Sequence, residues 1–204
     1  MQLKETYSRL LSKIGFNLNE INTLWLELEK MYSAPARHYH NLNHLEEMIA
    51  LYAVYESELQ FPDEVLYSIF YHDYVYKVTR KDNELKSAEK AVSILPDDAK
   101  LDKDLVFDMI CATQLHQNNA IEDINWLIDF DLRILAKEWN DYQIYCNQIR
   151  KEYRIYPNFM YQPGRKKALD HFLKNEFIFQ TAAFRTQYEQ QARANIEREI
   201  AMLR

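Results

Sequence analysis

Glycine is nearly missing from this chain: Gly15 and Gly164 are the only two in 204 residues. That excludes the phosphate-cradling loop and the dinucleotide-binding fingerprint, both of which need several glycines close together. Cysteine is almost as scarce. Cys111 and Cys146 lack Cys-x-x-Cys spacing and fall in apolar helical patterns, where free buried thiols are common, so a reducing compartment is expected. There is no surplus of basic residues. A formal charge of -6 argues against general nucleic-acid binding, which needs a basic face to neutralise phosphates, although local Lys and Arg can still receive a small anion. No apolar run is long enough to span a bilayer, and Met1-Gln2-Leu3-Lys4-Glu5 starts a mixed helix rather than a signal pattern. A soluble, cytoplasmic protein with no membrane partner is expected.

What is present points to an all-α fold. Between five prolines, apolar residues recur at three- and four-residue intervals instead of alternating. The pattern predicts helices over 2–13 and 19–31, the second opened by an Asn17-x-x-Glu20 capping box. Asn43-x-x-Glu46 reads as the cap of a third, with His44 in its first turn. Pro62 opens a helix that closes at His72-Asp73, and others are expected from Asp82 or Asn83 to Leu95, from Asp102 to His116 and over 121–135. The last third reads as a helix over 139–154, a loop from Tyr156 to Gly164, a helix over 165–174 and a long one over 177–203, where Glu189 and Arg193 can pair across a turn. No linker divides the chain, so residues 1–204 are expected to form a single domain, with any site in 37–135 and the helices of 139–203 packed on it. The 15 Tyr and 10 Phe are better explained as core than as base-stacking surfaces.

Histidine is distributed unevenly. His38, His40, His44, His72 and His116 all precede Asp131, and only His171 follows. A lone histidine is more often a hydrogen-bonded, partly buried imidazole than a ligand, but the clustering favours chemistry for the set. Two imidazoles and two carboxylates from His44, His72-Asp73 and the pair Asp129-Phe130-Asp131 would give one divalent cation a mixed nitrogen and oxygen set, leaving positions for water and substrate. The residues alone leave both Asp129 and Asp131 open as the final ligand. The donor chemistry suits Mn, Fe, Co, Ni, Zn or Mg without selecting one.

The words around these residues are Arg37-x-Tyr39-His40-Asn41-x-x-His44, Tyr71-His72-Asp73-x-Val75-Tyr76, Asn83-Glu84-x-x-Ser87-Ala88 and Asp129-x-Asp131-Leu132-x-Ile134-Leu135. Together with Ile149-Arg150-x-Glu152-Tyr153, Gly164-Arg165 and Ala192-Arg193-x-Asn195, they resemble a bacterial group of metal-dependent phosphohydrolases of the HD superfamily, over nearly the whole chain. The chain departs from that pattern at Lys77, Arg133 and Ala136, beside the ligands rather than at them. The resemblance implies an HD-type multi-helix bundle with one divalent metal ion on His44, His72, Asp73 and Asp131. It implies hydrolysis of a phosphoester of a nucleotide or related small phosphometabolite by metal-activated water. Asp73, Glu84 and His116 are then the catalytic candidates, with Glu84 as general base toward the water. Arg37, His40, Lys77, Arg80 and Asn83 are substrate-binding candidates. For each a plainer explanation exists: a helix-start carboxylate for Glu84, a polar loop residue for His116, ordinary exposed cations for Lys77 and Arg80. Two other functions stand beside this one. A di-iron oxygenase of related fold would need more histidines than His116 between His72-Asp73 and Asp131, and a helical module sensing metal or nucleotide would keep the ligands without turnover. The sequence leaves a homodimer open.

Overall fold

Gly15 makes the first corner of the chain. Its φ of +121° lies where a side chain is strained, and the turn closes with Gly15 and Phe16 both donating to the Leu11 carbonyl. In the computed structural model, which describes residues 2–203, this corner joins α1 (Gln2–Ile14) to α2 (Leu18–Tyr32). Asn17 and Glu20 form the expected capping box of α2. The described residues are all-helical: eight further helices, two short 3-10 segments and no strands. None of the helices is long and apolar enough to cross a membrane. The chain divides into two compact units, the first ending at Leu127 and the second starting at Ile128.

The first unit continues with α3 (Leu42–Tyr55), a 3-10 turn at Glu56–Glu58, α4 (Pro62–Tyr71), α5 (Asn83–Ile94), α6 (Lys103–Ala112) and the start of α7 (Glu122–Leu132). Every residue of α4 from Val65 to Tyr71 is buried, the mark of a helix enclosed on all sides rather than laid on a surface. Pro62 begins it, as expected. Its N-cap, Phe61, has no capping side chain, and buried Asp123 of α7 serves instead, accepting from the backbone N–H groups of Gln60 at 3.1 Å and Phe61 at 2.5 Å. Around α4 the aromatic residues are core: Tyr7 donates to or accepts from Tyr71 at 2.6 Å and packs edge-on to Phe70, and the Tyr67 hydroxyl donates to the Ala91 carbonyl.

Two boundaries here differ from the sequence expectation. The cap of α3 is Asn41 rather than Asn43, because Asn41 has the extended backbone that a cap requires and its side chain accepts from the Asn43 N–H. His44 stays in the first turn. Helix α6 ends at Ala112, short of His116: the Thr113 hydroxyl donates back to the Ile110 carbonyl at 2.7 Å, and His116 takes a left-handed conformation with φ +52°.

The second unit holds the end of α7, a 3-10 segment at Arg133–Ala136, α8 (Trp139–Glu152), α9 (Asn158–Lys174) and α10 (Ala182–Met202). The loop expected from Tyr156 to Gly164 is largely helix. Pro163 lies inside α9, where it deletes one backbone bond, but tertiary contacts override that local cost. Arg150 holds the start of α9 through Asn158 and the Tyr156 carbonyl, and Arg165 anchors its middle. Helix α10 begins at Ala182 rather than 177, since Thr181 is its cap and Glu189 accepts from the Ile178 and Phe179 N–H groups ahead of it. Glu189 also pairs with Arg193 at 2.7 Å, as expected.

Arg165 and Glu199 form a two-point ion pair in this unit, with side-chain exposures of only 12% and 6%. Arg165 donates through Nε to Oε1 at 2.8 Å and through Nη2 to Oε2 at 3.1 Å, and the Tyr142 hydroxyl donates to the same carboxylate. Burial alone would raise the Glu199 carboxyl, but Arg165 and Tyr142 hold it below its usual value. A depressed carboxylate contributes stability that is complete above its unfolded value, about 4.3, and is lost as pH falls through the folded value. Breaking one half of such a pair strands the other charge, so Arg165→Met should cost about 3–5 kcal/mol. Chemical denaturation of Arg165→Met and of Arg165→Met with Glu199→Met checks this: the double variant should recover most of the loss and show a weaker acid limb than the parent.

Candidate metal centre

His72 is the residue at which α4 stops. Its backbone N–H still donates to the Ser68 carbonyl at 2.8 Å, so the ring hangs from the last turn of a helix buried from Val65 to Tyr71. The ring nitrogen Nδ1 lies 2.9 Å from the Ile69 carbonyl, a contact that only an Nδ1–H can make. A neutral ring then has its lone pair on Nε2. That atom faces His44 Nε2 at 3.3 Å and Asp73 Oδ2 at 3.2 Å. Both rings are buried, at 3% and 2% exposure. Two imidazole nitrogens on one ion at about 2.1 Å would stand roughly 3.0–3.4 Å apart for angles between octahedral and tetrahedral. The donor set and its spacing fit a divalent cation.

Asp131 stands in the last turn of α7, one continuous helix that starts in the first unit. His44 and His72 belong to a group of side chains that could hold a metal ion. Asp129, one of the two carboxylates the sequence leaves open, has another task. Its Oδ1 accepts from the Gln180 N–H at 2.6 Å and its Oδ2 from the Thr181 N–H at 2.8 Å, at the entry to α10. Burial pushes its carboxyl up to about 7, against these two bonds, which favour the carboxylate.

The other candidates fall into two kinds. Arg37 is buried, not extended toward solvent. Its Nη1 donates to the His40 carbonyl at 3.1 Å and its Nη2 to the Tyr74 carbonyl at 2.9 Å, while the guanidinium lies over Tyr32. The His40 ring stacks on Tyr76 with centroids 4.1 Å apart, and Tyr39 packs against the His44 ring. Asn83 is buried too, and its amide grips the Lys77 backbone at both ends, at 3.0 Å each. The Lys77 side chain itself is exposed. Arg80 is exposed and forms a two-point pair with Asp82. Glu84 is half-buried in the first turn of α5. Along with burial and Asp108, its charge raises the Cys111 thiol. His116 follows α6 in its left-handed turn.

Sequence reasoning passed over two participants. Tyr32 accepts from the Asp73 N–H at 3.2 Å, which no motif announces. Ser87 binds the Val75 backbone; its spacing four residues after Asn83, on one face of α5, was the available signal.

No family model, curated protein or solved structure matches this chain.

The Asp129 contacts have a measurable consequence. Asp129→Ala leaves two backbone N–H groups at the entry to α10 without their acceptor, and should lower stability by about 2–4 kcal/mol in chemical denaturation. A loss below about 1 kcal/mol would show that solvent replaces the carboxylate there.

Proposed function

We propose that this protein is a divalent-metal-dependent phosphohydrolase of the HD type, cleaving a phosphoester of a nucleotide or related small phosphometabolite. The observation that carries the reading is the convergence of His72 Nε2 with His44 Nε2 at 3.3 Å and Asp73 Oδ2 at 3.2 Å, while His72 Nδ1 faces the Ile69 carbonyl. The motifs around these residues, with their resemblance to HD phosphohydrolases, supply the reaction class.

In this reading His44, His72, Asp73 and Asp131 hold the ion. A bound divalent cation supplies positive charge that polarises a phosphoryl oxygen and makes water more acidic. The chain does the rest. Glu84 receives the proton of the attacking water, and His116 orients water or substrate from its turn. Lys77 offers an exposed ammonium to the phosphate, and so does the Arg80 guanidinium once it leaves Asp82, an exchange that an exposed ion pair resists only weakly. Arg37 and Asn83 bind backbone carbonyl and N–H groups and so fix the loops in which the reading places them beside the substrate. A cytoplasmic setting accompanies this reading, since both cysteines are free thiols.

Protein purified without chelator should carry about one divalent metal per chain by elemental analysis. His72→Ala combined with Asp73→Ala should lose that metal and all phosphatase activity in a screen over nucleotides with added Mn, Co, Ni or Mg. Stoichiometric metal in the double variant would refute the ligand assignment, and turnover that required oxygen and two irons per chain would replace hydrolysis with oxygenation.

Glu84→Gln and His116→Ala should each reduce turnover by roughly 100-fold while metal content stays near that of the parent, because both are assigned to water or substrate rather than to the ion. Measuring metal and rate on the same preparation separates the two roles. Full activity in Glu84→Gln would return that residue to a helix-start charge, and metal loss in His116→Ala would make His116 a ligand.

A further inference from the structure

The five residues that follow His72 lie outside any helix: the Tyr74 N–H still donates to the Tyr71 carbonyl at the end of α4, and side chains from other elements bind much of the remaining backbone. The Asp73 N–H donates to the Tyr32 hydroxyl at 3.2 Å. The Tyr74 carbonyl accepts from Arg37 at 2.9 Å. The Val75 N–H donates to Ser87 Oγ at 3.0 Å, and that hydroxyl lies 3.3 Å from the Val75 carbonyl. The Lys77 N–H and carbonyl are both bound by the Asn83 amide. Ser87 and Asn83 are one turn apart on α5 and both buried, so α5 presents one hydroxyl and one amide as a clip on alternate residues of an irregular segment.

A segment of this kind needs partners for its peptide groups in any protein, but its position makes the clip more than a loop closure. His72 is the C-cap that follows Tyr71, the last residue of α4, and Asp73 lies beyond it. Each is restrained by the helix on one side only, and a helix end frays unless something beyond it is fixed. Metal ligands have to be held within about 0.5 Å of a working geometry. We propose that Asn83 and Ser87 are positioning residues for the His72–Asp73 pair, acting through the backbone of residues 75–77. This rests on the metal-dependent reading above.

The test uses Co2+ as probe with the full chain, reading affinity by titration calorimetry and site geometry by the visible spectrum of bound cobalt. Amide hydrogen exchange at Val75 and Lys77 reports the clip independently of any metal or activity. In Asn83→Ala, exchange at Lys77 should rise and cobalt affinity should fall by roughly 10–100-fold, the range for residues that orient ligands, with a changed spectrum. Asn83→Asp keeps the acceptor for the Lys77 N–H and loses the donor to its carbonyl, so it should fall between parent and Asn83→Ala. Ser87→Ala should raise exchange at Val75 and weaken cobalt in the same direction, and it carries the comparison if Asn83→Ala does not fold. Faster exchange with unchanged cobalt affinity and spectrum would overturn the proposal and leave the clip as a loop closure. Failure of the parent protein to bind cobalt would instead overturn the metal reading, before any variant is compared.

Discussion

The enclosure of α4 is the constraint on which the candidate centre depends. A helix buried on every side from Val65 to Tyr71 cannot slide or turn without disturbing packing throughout the first unit, since interiors are as dense as organic crystals. His72 inherits that rigidity because it extends the last turn of this helix. The Nδ1 contact to Ile69 then fixes the one freedom that packing leaves, the choice of ring nitrogen that carries the proton. His44 is delivered by a different device, the Asn41 cap that sets where α3 begins. A core helix and a capped helix start thus bring two imidazoles together from positions 28 residues apart.

The helical architecture was legible in the sequence because it rests on local signals. Capping side chains, Pro62 at a first turn and apolar spacing placed most elements within a few residues. The failures came where distant groups decide. Pro163 reads as a loop residue locally, but Arg165 and Glu199 together with the Arg150 contacts keep α9 intact through it. The irregular residues 177–181 reflect Glu189 and Asp129 accepting from their N–H groups, which spacing along the chain does not reveal.

The site was partly legible for a similar reason. Ligand types and their order can be seen along the chain, whereas the partners of a polar side chain cannot. Arg37 and Asn83 look like groups awaiting an anion when read as residues, because cations and amides near a histidine cluster suit a phosphate. Folding gives them backbone partners, which the letters do not show. Asp129 and Asp131 are equivalent as letters and diverge only when the entry to α10 claims the first.

A simple proton can be weighed against a cation as the species that joins the rings. A proton on His44 Nε2 would make an ordinary hydrogen bond to His72 Nε2, at the long end of the usual range. A proton on His72 Nε2 would serve Asp73 Oδ2 at 3.2 Å, but that atom cannot donate to the carboxylate and accept from His44 at once. With Nδ1–H already committed to Ile69, one proton among these atoms is given wholly to one contact or divided between the two. A divalent cation would take the lone pairs of both rings together, which is the chemistry that a group able to hold a metal ion offers.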